Sequence, residues 1–182
     1  MNLTRRALLT AAFALPLVAA FTPLTWMGQT LASQGSNGEG EAAPLEQRPL
    51  VIHSAQGPHR LSVEMAQTQA QRQKGLMGRE VLPADHGMLF TYAREQSPHN
   101  GFWMYRTLIA LDIAFIDSDG TIVAIMTMPP CESASPSNCR AYAPGTPYHA
   151  ALEVNAGYFE QRGISVGDCV SLSGNAGACG SP

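Results

Sequence analysis

From residue 50 onward, short apolar runs alternate with turn-forming residues, and their spacing predicts strands. "LVIHS" (50–54) and "HRLSVEMA" (59–66) flank Gln56-Gly57-Pro58. In the second run Leu61, Val63 and Met65 alternate with Ser62 and Glu64, the two-residue period of a half-buried strand. Across "TQAQRQKGLM" the pattern changes: Thr68 is placed to cap a short helix, and Gly75 or Gly78 to end it. "GMLFTY" (87–92) and "GFWM" (101–104) are short and aromatic-rich, which predicts strands. Residues 109–117 and 120–128 flank Ser118-Asp119-Gly120, a hairpin turn with glycine supplying the positive φ. "YHAALEVN" (148–155) reads as another strand, "AGYFEQRG" (156–163) as one or two helical turns, and "GDCVSLS" (167–173) as the closing strand. Seven or eight short strands with two short helices indicate a mainly β (α+β) domain, a small, partly closed barrel or sandwich.

The first 49 residues follow other rules. Arg5 and Arg6 precede an uncharged apolar run from Ala7 to Ala20, shorter than the roughly 20 residues of a membrane span and suited to a signal-peptide core. The arginine pair before Ala7-Leu8-Leu9 resembles a twin-arginine export signal. Small residues offer cleavage after Ala20 or Ala32, so residues 1–32 are read as the export signal; because Phe21–Met27 prolongs the apolar run, a retained anchor is the alternative. No cysteine follows the run in lipoprotein fashion. Residues 33–49, rich in Gly, Ser, Glu and Pro and without aromatic or β-branched residues, are expected to be a flexible linker. The folded domain is then 50–173, with 174–182 as a tail.

The formal charge is −3, and removal of residues 1–20 takes away two arginines and no acid, giving −5. With Lys74 the only lysine and no basic cluster, nucleic acid is not an expected partner. Export places the chain in an oxidising compartment, periplasmic or extracellular, where its four cysteines are expected as disulfides. Three pairings are possible; local pairing, Cys131–Cys139 and Cys169–Cys179, is preferred, with no C-x-x-C for a zinc site. Such a staple would also explain the five-proline loop "PPCESASPSNCRAYAPGTP" (129–147), improbable in a compact domain unless tied down.

The pieces "QRQKGLMGRE", "LPADHGMLF", "FWMYRTLIALDIAFIDSDGTIVAI", "PPC" and "ALEVNAGYFEQRGISVGD", in this order, resemble the DUF192 (UPF0127) family over about residues 63–170. The resemblance implies a small, mainly β domain, often exported, with no established activity. Where the family pattern reads Trp-Met-Lys-Asn-Thr with a proline before Leu-Asp, this chain has Trp103-Met104-Tyr105-Arg106-Thr107 and Ala110. The basic charge is displaced by one position, so a ligand contact made by a lysine there does not transfer.

Asp112 stands inside an apolar strand between Ala110 and Ala114, where an isolated carboxylate would be costly. Arg79, ahead of Arg106, is the expected partner, since a guanidinium fork matches a carboxylate. Glu153 shares a strand face with His149, Ala151 and Asn155: facing outward it would merely be solvated, whereas convergence with Asp112 would make a two-carboxylate site. Trp103, Arg106 and Thr107 complete the candidate ligand-binding set, though an aromatic such as Phe102 or Trp103 at a strand end is more often core. Met126 and Met128 with Cys131, or His86 with Met88, are soft-ligand groupings of the copper type, but Met77, Met88 and Met104 suit gap-filling equally. No G-x-S-x-G, phosphate loop or H-E-x-x-H motif is present, so no catalytic residue, metal ligand or cofactor is assigned. The expected function is a non-catalytic small-ligand-binding or accessory domain, with a small hydrolase using the Asp/Glu pair, or a copper carrier, as alternatives. Its partner would be a small molecule or a protein, with membrane contact only through a retained signal.

Overall fold

The computed structural model describes residues 44–172 and Cys179. The expected export signal (1–32), the linker up to residue 43 and all of the tail except Cys179 lie outside the described residues.

Seven strands form one sheet in the order β6-β5-β8-β3-β2-β1-β9. They are β1 (Gln47–Ser54), β2 (Gly57–Ala66), β3 (His86–Gln96), β5 (Leu111–Ile116), β6 (Ile122–Met128), β8 (Tyr148–Asn155) and β9 (Cys169–Leu172). Two further short strands, β4 (Phe102–Trp103) and β7 (Ala141–Tyr142), pair with each other outside that sheet. Strand β1 starts at Gln47, inside the stretch read as linker, because residues 47–49 extend the antiparallel ladder opposite Ser62–Glu64.

Helix α1 (Gln69–Lys74) makes the crossover between the parallel neighbours β2 and β3. Its start is fixed as expected: the Thr68 hydroxyl accepts from Gln71 N–H, and the Gln71 side chain accepts from Thr68 N–H, a reciprocal capping box. Gly75, at φ 46°, ends it. The hairpin between β5 and β6 turns at Gly120, with φ 86°, and Asp117 Oδ1 accepts the N–H groups of Asp119 and Thr121.

The sheet curls until its two edges meet locally. Ile122 N–H donates to Asp168 O, Gly167 N–H to Ile122 O and Val170 N–H to Gly120 O, joining the start of β6 to that of β9. The result is the partly closed β-barrel that the strand pattern predicted. Alternation along each strand separates two apolar clusters. Inside the curl all seven strands contribute, among them Leu50, Val63, Leu89, Ile122, Leu152 and Val170, and the short helix α2 (Tyr158–Gln161) adds Tyr158 and Phe159. Outside, Met88, Phe90, Ile113 and Phe115 from β3 and β5 are covered by Leu76, Met104 and Tyr142.

That outer cover is held by the proline-rich loop. Cys131–Cys139 is bonded, as is Cys169–Cys179, so both local pairings occur. Cys131 bridges to Tyr105 on one side of the staple, and Ala141 and Tyr142 pair with Trp103 and Phe102 on the other. Segment 102–105 is thus clasped at both ends by one stapled loop. Cys139→Ala is expected to lose roughly 2–3 kcal/mol, the chain-entropy value for so short a loop. Chemical denaturation should show it as a lower midpoint, and an unchanged midpoint would mean that the prolines hold the loop without the bond.

Candidate functional site

Strand β8 lies between β3 and β5, and its residues Ala151–Val154 are buried, facing one apolar cluster or the other. Directly opposed residues of an antiparallel pair share a face. Glu153 opposes Met88 on β3 and Ile113 on β5, which puts it on the outer face among apolar neighbours. Asp112 opposes Val154 on β8 and Thr127 on β6, which puts it on the inner face. The expected convergence of Asp112 and Glu153 therefore does not occur; the pleat of one sheet separates them.

Asp112 is buried at 3% exposure, but its partner is not an arginine. The Thr127 hydroxyl, directly across the β5–β6 ladder, donates to Asp112 Oδ1 at 2.7 Å. Arg79 is engaged elsewhere: its guanidinium forks onto Glu64 of β2, with 2.6 Å on the Nη1–Oε1 arm. A bidentate fork on a half-buried carboxylate outcompetes a more distant one. Arg106 is exposed, with its guanidinium over the Tyr105 ring at 5.1 Å. It is also the one non-glycine among the described residues with positive φ, 56°, and its carbonyl accepts from Gly78 N–H at 2.8 Å.

Glu153, Trp103 and Thr107 do meet. They line a cavity of about 30 Å³ with Phe90, Phe102 and the Gly75–Met77 segment that follows α1. The volume suits one or two atoms the size of a water oxygen. Phe102 is core, as expected, set edge-on to Phe90 at 4.9 Å and to Phe115 at 5.7 Å. Trp103, by contrast, is 46% exposed and forms the rim. At the floor, Glu153 is 4% exposed, and among the described residues its carboxyl has neither a hydrogen-bond donor nor an ion-pair partner. Burial alone pushes it from the ordinary 4.5 up to about 8. The outward, solvated reading of Glu153 is thereby corrected: the β4–β7 layer and α1 cover the face it occupies.

Two glycines hold this geometry. A Cβ on Gly87 would stand 2.6 Å from the Glu153 carbonyl oxygen, and one on Gly101 would stand 2.9 Å from the Tyr142 backbone. The first lets β3 approach β8 at the acid, and the second lets β4 reach β7. Alternation in "YHAALEVN" placed Glu153 on the right face of its strand, but nothing in the sequence marked what would cover that face. The walls from Phe90 and residues 75–77 went unrecognised, because they come from elements distant in sequence. For the soft-metal grouping, Cys131 gives its sulfur to Cys139, which removes the thiolate. Among the described residues no three His, Cys, Asp or Glu side chains cluster as metal ligands.

The sequence profile of DUF192, described as an uncharacterized ACR family, matches residues 51–172. No curated protein matches. Among solved structures, one from Sinorhizobium meliloti 1021, described as a "putative transcription regulator", is 34% identical with a TM-score of 0.63, covering 74% of this chain and 99% of that one. A protein of unknown function from Novosphingobium aromaticivorans DSM 12444 is 31% identical with a TM-score of 0.62, covering 72% and 94%.

The buried acid gives a measurable stability signature. With a folded value of about 8 against 4.5, the Glu153 contribution is fully present below pH 4.5 and is lost as pH rises towards 8. The loss is bounded at about 5 kcal/mol. Thermal or denaturant unfolding between pH 4 and 8 should show this decline in the wild type and its removal in Glu153→Gln. Parallel profiles would mean that the carboxyl is paired or hydrated in solution.

Proposed function

Because the chain belongs to the DUF192 family, defined without an assigned activity, we propose that it is an exported, non-catalytic domain that binds a small ligand in the cleft over Glu153. One observation carries this reading: a buried carboxyl without a protein partner, at the floor of a cavity with an exposed tryptophan at its rim. A carboxyl so placed costs stability unless something supplies its hydrogen bonds, and such uncompensated groups concentrate at functional sites.

The hydrolase alternative needed a second carboxylate, and Asp112 is on the other face of the sheet. A lone acid without a positioned nucleophile supports recognition better than catalysis. The regulator description of the Sinorhizobium meliloti protein lends no nucleic-acid role here, since the formal charge is −3 and the sequence has no run of Lys and Arg beyond the Arg5-Arg6 pair. Two disulfides and the Arg5-Arg6 signal support an oxidising compartment outside the cytoplasm. Membrane contact would come only from a retained signal segment.

A thermal-shift screen of small polar metabolites tests the binding role. Ligands of the cleft should raise the wild-type melting temperature by several degrees and leave Glu153→Gln and Trp103→Ala unmoved. Asp112→Asn and Arg79→Gln, altered outside the cleft, should respond as the wild type does. Hits that persist in Glu153→Gln would place the site elsewhere, and turnover of a hit would reinstate an enzyme. For export, replacing both Arg5 and Arg6 by lysine should hold the precursor in the cytoplasm; normal secretion of that variant would assign the general secretory route.

A further inference from the structure

The cavity over Glu153 has a larger neighbour. An open groove of about 520 Å³ runs beside it and shares Arg72, Gln73, Phe102 and Trp103 with the cavity. The two parts differ in chemistry. In the cavity a carboxyl is enclosed by the rings of Phe90, Phe102 and Trp103. Aromatic faces and a carboxylate both attract a cation. Arg94 lines the groove alone, Arg72 lines both groove and cavity, and Lys74 lines the cavity.

Arg72 is fixed rather than loose. Its Nη1 donates to the carbonyls of Gln67 and Thr91, and its guanidinium lies 4.7 Å over the Tyr92 ring. Burial pushes the Tyr92 hydroxyl above its ordinary value, the Arg72 charge draws it back and the Glu153 charge raises it again. That ring thus lies within electrostatic reach of both the acid and the arginine. Neither Arg94 nor Lys74 has an ion-pair partner among the described residues.

We propose that the groove binds a zwitterionic primary amine of amino-acid type, its ammonium seated on Glu153 and its anionic group held at Arg72 and Arg94. The inference rests on the reading that the cleft over Glu153 binds a small ligand, and adds the chemical class. Each part excludes a simpler ligand. A bare cation would be opposed by Arg72 and Lys74, which line the same cavity as the acid, and a bare anion would leave Glu153 unsatisfied. An ammonium group brings N–H donors to the Glu153 carboxyl, whereas a trimethylammonium brings none. A strong hydrogen-bond donor brought to Glu153 also supplies the partner that the protein does not.

The test is calorimetric titration of the full disulfide-bonded domain with ω-amino carboxylates of increasing length: glycine, β-alanine, 4-aminobutyrate and 5-aminopentanoate. At least one should bind, with the best length reporting the span from Glu153 to the arginines. Its N-trimethyl derivative and the corresponding amine-free carboxylate should each bind at least tenfold more weakly. Glu153→Gln and Arg94→Gln should each cost tenfold or more; Arg94 is exposed, so that variant stays informative if Glu153→Gln folds poorly. Equal binding of the trimethyl or amine-free compounds, or unchanged affinity in a folded Glu153→Gln, would overturn the proposal. If the whole series fails while uncharged or purely anionic metabolites stabilise the protein through Glu153, only the ligand class is wrong. If those fail too, the cleft is not a binding site.

Discussion

The central strand β8 sets the terms for everything around it. Paired on both edges, and buried on both faces from Ala151 to Val154, it leaves little water for a polar side chain in that stretch, which must find a partner in the protein or do without. Asn155 at its end solves the problem by donating from Nδ2 to the carbonyl of Leu82. Tyr148 at its start donates its hydroxyl to the Asn100 carbonyl. Glu153, in the middle, does not solve it. Because β8 is antiparallel to both neighbours, its pleat also dictates which face each residue serves, and hence which cover layer it must fit.

The covers on the two faces differ in kind. Inside the curl, the barrel packs against itself and α2, and the apolar cluster is continuous from β1 to β9. Outside, the lid is assembled from pieces with little regular structure: the turn after α1, the two-residue strands β4 and β7, and the stapled loop. Such a lid has few ladder hydrogen bonds of its own and relies on cross-links. The Arg106 backbone in the left-handed region, accepting from Gly78, is one such link between two segments of the lid. A left-handed arginine costs about 1 kcal/mol or more, and it persists only where the surroundings over-determine it.

Sequence pattern revealed the scaffold better than the site. Local signals were sufficient wherever the physics is local: Thr68 and Gly75 bound α1, Gly120 turns the hairpin, and alternation marks β2 and β8. Both disulfides follow from short spacing. Partner choice between distant side chains is not local. Asp112 faced Thr127 rather than Arg79 because the β5–β6 register decides its neighbour, and Arg79 went to Glu64 because β2 presents that acid beside the α1 turn. Sequence distance gave no weight to Thr127, and a charge-matching argument overlooked a hydroxyl. The same limit hid the cavity, whose walls span residues 72 to 153.

The two buried acids, compared with each other, separate scaffold from function. Asp112 accepts a short bond from a hydroxyl fixed on the next strand, and that partnership accounts for a polar residue in an apolar run. Glu153 is equally buried and has no such account. Ionised, it would carry a desolvation penalty of several kcal/mol; neutral, it finds no donor in the protein. Leucine would fit the same apolar surroundings at lower cost. Trp103, an apolar side chain left half exposed at the mouth, adds to that cost. Stability alone gives no reason for a buried carboxyl that faces a cavity instead of a protein donor, with a half-exposed tryptophan at its rim. The proposed ligand, bringing a donor to that position, would supply the partner that the fold leaves out.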